Sequence, residues 1–407
     1  LNEEVTTGAL ALALRGAALA LRFALPLALI RLLGLEAAGL FALVAATAAI
    51  APAALGWGLN NLLTRNLVLH PDQAPRLIAT RLAVTSASIA AAILAALAVF
   101  CVTVPMPGLP IAPTLTIIAL ETLALDIHVI LIARGRAKRA NLLLFLRSAG
   151  WIPLFLIGAW SLPDLRTLDA ALSAWIAGHF AALAALTPLA LAAPWRTAII
   201  DPAWLKRSAR DCLWIYVADL GLVGQLYGDR YLVGALIGLE ATAIYGVCAA
   251  VGQALQVLAS SAVIQPALPR LIASAHREPV TAAHLKPLAA RLAVIALPLL
   301  AMLATGAILL AETGVLKISA ATAWTLCLLC CAATARSLSD GVNALLVGQG
   351  RHRAYARLSL LGAALSLGLS VLLLPLLGLP GAGLAAFGAA LAALIGRIKA
   401  AEKHNLP

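Results

Sequence analysis

Charge is what this chain has least of. Only 11% of its 407 residues are Asp, Glu, Lys or Arg, whereas 63% are hydrophobic. A soluble domain carries about 25% charged residues, because its surface has to face water. A chain this poor in charge is not built for water alone. Acidic residues are scarcer than basic ones, 17 against 29, so the formal net charge is +12. Cysteine is also sparse: Cys101, Cys212, Cys248, Cys327, Cys330 and Cys331 all fall within or beside apolar runs. That placement excludes a disulfide framework. The cluster Cys327-Leu-Leu-Cys330-Cys331 has the spacing of a metal motif but no second Cys/His pair, so it reads as small residues of a membrane helix. Loops long enough to form a soluble domain are missing as well. This argues against a membrane enzyme, which needs an active site reaching the aqueous phase. No cofactor and no metal are expected.

What the chain does have is long Ala/Leu runs. Apolar stretches of about 20 residues are the length of a membrane-crossing helix, and twelve are expected, near 10–31, 37–63, 79–104, 111–133, 141–162, 169–193, 210–235, 240–266, 288–311, 319–346, 354–376 and 379–397. The fold class is therefore all-α, a polytopic membrane protein. The distribution of basic residues tests the count, because Lys and Arg collect on the cytoplasmic side of a membrane protein. Arg65, Arg76 and Arg81 follow the second span, Arg134, Arg136, Lys138, Arg139 and Arg147 the fourth, and similar groups follow the sixth, eighth and tenth. Arg397, Lys399 and Lys403 follow the twelfth, whereas the opposite loops hold only Arg31, Arg166, Arg230 and Lys317. The alternation implies an inner-membrane protein of twelve spans with both termini cytoplasmic. Topology and anionic lipid account for the positive charge, so no nucleic-acid partner is needed.

The sequence also repeats itself. Gly34-Leu35-Glu36-Ala37, followed by Phe41, recurs as Gly238-Leu239-Glu240-Ala241, followed by Tyr245. A second match pairs Ala133–Lys138 with Gly348–Arg353. Both sit at equivalent places in a six-span unit, so two parallel lobes are expected, an N-terminal one over 1–200 and a C-terminal one over 201–407. Two such lobes suit alternating access about a central cavity.

At these residues the sequence resembles the multidrug/oligosaccharidyl-lipid/polysaccharide exporter superfamily, and within it the bacterial O-antigen type polysaccharide flippases. The likeness rests on Arg31-Leu32-Leu33-Gly34-Leu35-Glu36-Ala37-Ala38-Gly39-Leu40-Phe41, on the order Asp229, Gly238, Tyr245, Pro266 and Pro269, and on the turn Gly378-Leu-Pro-Gly381-Ala382-Gly383. It implies a MATE-like fold and a flippase for lipopolysaccharide or other surface polysaccharide. The substrate would be a polyprenyl-diphosphate-linked oligosaccharide, moved from the cytoplasmic to the periplasmic leaflet. A proton or sodium gradient and polysaccharide assembly proteins would be the partners, alongside the lipid bilayer. The alternative is an ion-coupled multidrug or metabolite antiporter of the same superfamily.

Ionisable and amide side chains inside spans nominate the site, because burying them in lipid is costly. Arg15 and Arg22 share a face of the first span and suit an anionic group. Glu121 and His128 share a face of the fourth span, next to Asp126, and suit a proton relay. In the tenth span Arg336 and Asp340 stand four residues apart and can pair along one helix. Asp219 lies in the seventh span, and Gln253, Gln256 and Ser260 form a stripe on the eighth. Arg15, Arg22, Arg336, Gln253 and Gln256 are thus the substrate-binding candidates. Glu121, Asp126, His128, Asp219 and Asp340 are the ion-coupling candidates.

Overall fold

The apolar runs do become helices. A computed structural model of the chain describes residues 2–102, 110–191, 198–264, 289–294, 319–348 and 351–402, and the regular elements among them are all helical. In chain order they are α1 (Asn2–Leu33), α2 (Leu35–Gly56), α3 (Leu59–Leu69), α4 (Ala74–Val102), α5 (Ile111–Ala133), α6 (Ala137–Phe145) and α7 (Ile152–Ser161). They continue with α8 (Leu168–Leu191), α9 (Pro202–Leu236), α10 (Leu239–Ala259), α11 (Ala320–Gly348), α12 (His352–Leu377) and α13 (Leu379–Glu402). A five-residue π-helical turn, Leu146–Gly150, joins α6 to α7, and a second, Ser260–Ile264, extends α10.

Among the described residues ten helices are long and apolar enough to cross a membrane, and the protein is a multi-pass membrane protein. The seventh expected span, α9, falls outside those ten because it carries Asp219, Asp229 and Arg230, yet its 35 residues reach about 50 Å at 1.5 Å per residue. The expected span at 288–311, together with Pro266 and Pro269, lies outside the described residues except for 289–294.

The chain forms two compact units, Leu1–Tyr216 and Val217–Pro407, and α9 begins in the first and ends in the second. In the first, one cluster packs Leu59, Leu63 and Leu67 of α3 against Leu77 and Ile78 of α4 and Ile130 of α5. In the second, α13 packs against α11 and α12 along a face of Gly381, Ala382, Ala385, Ala386, Ala389 and Ala390. Small residues let helix backbones approach, which is how helices gain contact where lipid offers no hydrophobic drive.

The sequence repeat has a structural counterpart. Gly34 opens α2 at φ +88° and Gly238 opens α10 at φ +125°, a region that glycine enters without a Cβ clash. The Gly34 carbonyl accepts from the Ala38 amide at 3.2 Å, and the Gly238 carbonyl from the Thr242 amide at 3.1 Å. Glu36 and Glu240 stand in the first turns, where a carboxylate complements the helix dipole.

Candidate functional site: charge inside the two units

Arg147 is the centre of the first unit's polar interior. It sits on the π-helical turn, 8% exposed, and its guanidinium donates to Glu121 Oε2 of α5. The extra residue of a π-turn rotates the helix face locally, and such turns cluster at functional sites. His179 of α8 brings Nε2 to 3.5 Å from Glu121 Oε1, while its Nδ1 lies 3.1 Å from the Trp175 carbonyl. Arg22 of α1 is exposed and near enough for its charge to act on Arg147.

The four residues share a depth. Arg22 stands 11 residues before Leu33, Glu121 10 after Ile111, His179 11 after Leu168, and Arg147 14 before Ser161. In the expected alternation of spans those helix ends fall on one side of the membrane. At 1.5 Å per residue the group is roughly 15–21 Å in, close to the middle of a ~30 Å apolar core.

An aromatic cluster holds the π-turn in place. Trp151, one residue past the turn, stacks on Trp175 with centroids 5.9 Å apart and planes 16° apart, and Phe41 of α2 packs against both. Gly178 makes room for it, since a Cβ there would come within 2.9 Å of the Trp151 Cβ.

Several expectations change at this point. Arg147 and Arg81 were expected in cytoplasmic loops, but both are buried among helices. Arg81 is 0% exposed, donating at 2.6 Å to the Gly56 carbonyl and at 2.6 Å to Asp126 Oδ1. Thr85 donates to the other Asp126 oxygen. Asp126 is therefore a fully engaged carboxylate, bracing the break between α2 and α3 where Trp57 (φ 54°) and Gly58 (φ 68°) turn left-handed. Glu121 and His128 do not form a relay with each other. His128 Nδ1 lies 3.0 Å from the Ala140 carbonyl, while Glu121 turns to Arg147 and His179. The side chain of Arg15 lies outside the described residues, although α1 runs through it.

In the second unit the residues behind the family resemblance form a bond. Tyr245, 0% exposed, donates its hydroxyl to Asp229 Oδ2 across the α9–α10 hairpin that turns at Gly238. Arg230, expected in an outer loop, is 6% exposed and lies over the Tyr227 ring at 5.0 Å. Arg336 and Asp340 do not pair along α11. Asp340 accepts from Gln256 Nε2 at 3.0 Å, and Arg336 has no hydrogen bond or ion pair among the described residues. Arg336 instead stands where its charge reaches both Asp229 and Asp340. Gln253 Nε2 is buried without a partner. Asp219 is half-buried on α9, and its charge reaches Tyr355 of α12. Arg397, expected at the cytoplasmic end, is 2% exposed and donates to Ser339 at 2.5 Å and Ser359 at 3.3 Å.

The two interiors differ in balance. In the second unit Arg230, Arg336 and Arg397 face Asp219, Asp229 and Asp340. In the first, among the described residues, Arg22, Arg81 and Arg147 face Glu121 and Asp126, with no described carboxylate within 4 Å of Arg22. Of these described groups one cation is unmatched. Sequence reasoning placed Arg147 among the cytoplasmic basic residues and did not nominate His179. The available signal for His179 was its position ten residues inside the expected span 169–193, whereas Arg147, six residues inside its own, gave none.

A scan against protein-family models and a search of curated proteins find no match. Solved structures do match in fold. A multidrug resistance MATE family transporter of the MOP superfamily superposes in its inward-facing conformation with a TM-score of 0.61 at 16% identity, covering 96% of both chains. Its outward-facing conformation gives 0.61 at 16% identity over 95% of this chain and 93% of that one. A MATE structure in the bent conformation gives 0.57 at 16% identity over 95% and 92%. The chain thus has the all-helical fold of MATE family transporters.

Proposed function

We propose that this protein is an alternating-access flippase that turns a polyprenyl-diphosphate-linked oligosaccharide from the cytoplasmic to the periplasmic leaflet of a bacterial inner membrane, for surface polysaccharide assembly. The observation that carries this reading is the net positive charge of the group Arg22, Arg147 and Glu121 inside the first unit, where Glu121 pairs with Arg147 and no described carboxylate pairs with Arg22. Two guanidinium groups beside one described carboxylate favour an anionic ligand, and guanidinium groups donate in a fixed fork that fits phosphate oxygens. Arg336, whose guanidinium nitrogens Nε and Nη2 are buried without partners, adds a second donor of the same kind. Gln253 supplies an amide that suits sugar hydroxyls. The fold supports transport, since the matching MATE transporter adopts inward- and outward-facing conformations. Coupling to a proton or sodium gradient would fall to Glu121, Asp219 or Asp340, and polysaccharide assembly proteins would act downstream.

A second reading, an ion-coupled multidrug antiporter, is favoured by the described activity of the matching structures. The two separate in proteoliposomes. A flippase exposes a fluorescent polyprenyl-diphosphate oligosaccharide to the opposite leaflet and leaves a cationic dye where it was. An antiporter does the reverse. Dye movement without lipid movement would overturn the flippase reading.

A further inference from the structure

The His179–Glu121 contact is short of one hydrogen. His179 Nδ1 faces the Trp175 carbonyl at 3.1 Å, and a carbonyl only accepts, so Nδ1 carries a hydrogen. In a neutral imidazole Nε2 is then a bare lone pair. It faces Glu121 Oε1 at 3.5 Å, and an ionised carboxylate also only accepts. Two acceptors therefore oppose each other in a buried place, and one proton on either converts the contact into a donor–acceptor pair.

We propose that His179 and Glu121 form a proton site whose occupancy sets how strongly Arg22 and Arg147 hold an anionic ligand. This rests on the flippase reading above. Without the proton, Glu121 offsets one of the two guanidinium charges and already occupies Arg147. With it, the group carries two net positive charges, matching a diphosphate, and Arg147 can exchange Glu121 for the ligand. Binding the anion thus takes up a proton from water.

Among the described residues no other ionisable group on the packed helices competes. α2 carries only Glu36, in its first turn, and α7 carries none. α8 offers otherwise only Asp169 in its first turn, and α6 only Lys138 and Arg139 near its start. On α5 and α4 the nearest charges, Asp126 and Arg81, neutralise each other, and His128, seven residues along α5 from Glu121, turns its Nδ1 to the Ala140 carbonyl at 3.0 Å. On α3 there is only Arg65, and on α1 Arg22 is the charge that reaches the group.

The test uses the full chain in nanodiscs, polyprenyl diphosphate as the probe, and quenching of the Trp151 and Trp175 fluorescence as the readout. Binding is titrated between pH 6 and pH 8.5, and proton uptake is followed with a pH indicator. Linkage of one proton strengthens wild-type binding by up to about tenfold for each unit the pH falls, with up to one proton taken up per ligand. Glu121→Gln donates to Nε2 without titrating, so it is expected to bind tightly at every pH and to take up fewer protons. His179→Gln donates to Glu121 and is also expected to lose the proton step. The ligand's own titration is common to all three proteins and cancels in the comparison. If wild type and both variants share one pH dependence and one proton count, the inference is overturned and the flippase reading stands. If no protein binds the probe at any pH, both fall. Repeating the wild-type titration with a polyprenyl-diphosphate sugar, whose diester does not titrate in this range, gives proton uptake free of the ligand's share and decides the matter even where a substitution impairs folding.

Discussion

Asp126 on α5 is held by Arg81 on α4 through a 2.6 Å ion pair between side chains that are 1% and 0% exposed. The same guanidinium caps the Gly56 carbonyl at the end of α2. A carboxylate engaged this completely is a brace, whatever its depth in the membrane. Removing one member of a buried pair leaves the other charge unmatched and costs about 3–5 kcal/mol. Asp126→Ala and Arg81→Ala are expected to lower the thermal midpoint of the detergent-purified protein strongly. The double variant is expected to lose much less than the sum. Additive losses in a double-mutant cycle would show that the pair is not coupled.

Arg336 contrasts with Arg81, because among the described residues nothing binds its guanidinium. An apolar side chain of similar length removes its desolvation cost and, with it, the positive charge that reaches Asp229 and Asp340. These effects oppose each other, so Arg336→Met is expected to change the thermal midpoint little while lipid flipping falls at least tenfold. A variant that flips lipid at the wild-type rate would remove Arg336 from the transport path.

Tyr245 is the described donor to Asp229, whose Oδ1 is already buried without a partner. Tyr245→Phe keeps the packing and takes away the hydroxyl, leaving a buried carboxylate one donor short, with the Arg230 backbone still bonded to it. The expected loss is about 1–3 kcal/mol, read as a lower thermal midpoint. Asp229→Asn in the Tyr245→Phe background is expected to recover part of it.

Gly178 seats Trp151, and a Cβ there would also lie 3.2 Å from the Leu146 carbonyl at the start of the π-turn. Gly178→Val is expected to cost about 1–3 kcal/mol by overpacking. It is also expected to shift tryptophan emission and to weaken binding of polyprenyl diphosphate, because the turn presenting Arg147 moves with Trp151. Normal emission with normal binding would mean that the seat has slack.

Asp340 receives the Gln256 amide at 3.0 Å. Asp340→Asn keeps a carbonyl acceptor there and is expected to retain the fold while losing any coupling to a proton or sodium gradient that runs through this carboxylate. Flipping rates with and without an imposed gradient make the comparison.

Much of this architecture is written locally. The apolar run at 111–133 became α5 with the same bounds, and the runs near 169–193, 354–376 and 379–397 became α8, α12 and α13 within a few residues. Run length decides such a helix because lipid offers its backbone no other hydrogen-bond partner. The repeated Gly-Leu-Glu-Ala string likewise gives two helix starts with positive-φ glycines, since the conformation depends only on the absence of a Cβ.

Pairing was not written locally. Arg81, Arg147, Arg230 and Arg397 all stand near expected span ends, and a count of basic residues assigns them to loops. Burial of each one depends on how its helix is rotated and on what a neighbouring helix supplies: Asp126 for Arg81, Glu121 for Arg147, the Tyr227 ring for Arg230, and Ser339 with Ser359 for Arg397. Glu121 and Arg147 are 26 residues apart, and a helical period says nothing about a partner at that distance. The sequence by itself determined the helices, their lengths and the recurrence of one unit's pattern in the other, because those follow from lipid solvation and backbone sterics. Tertiary structure alone decided which charges are braces and which stand unmatched, because a charge takes its meaning from the groups packed around it.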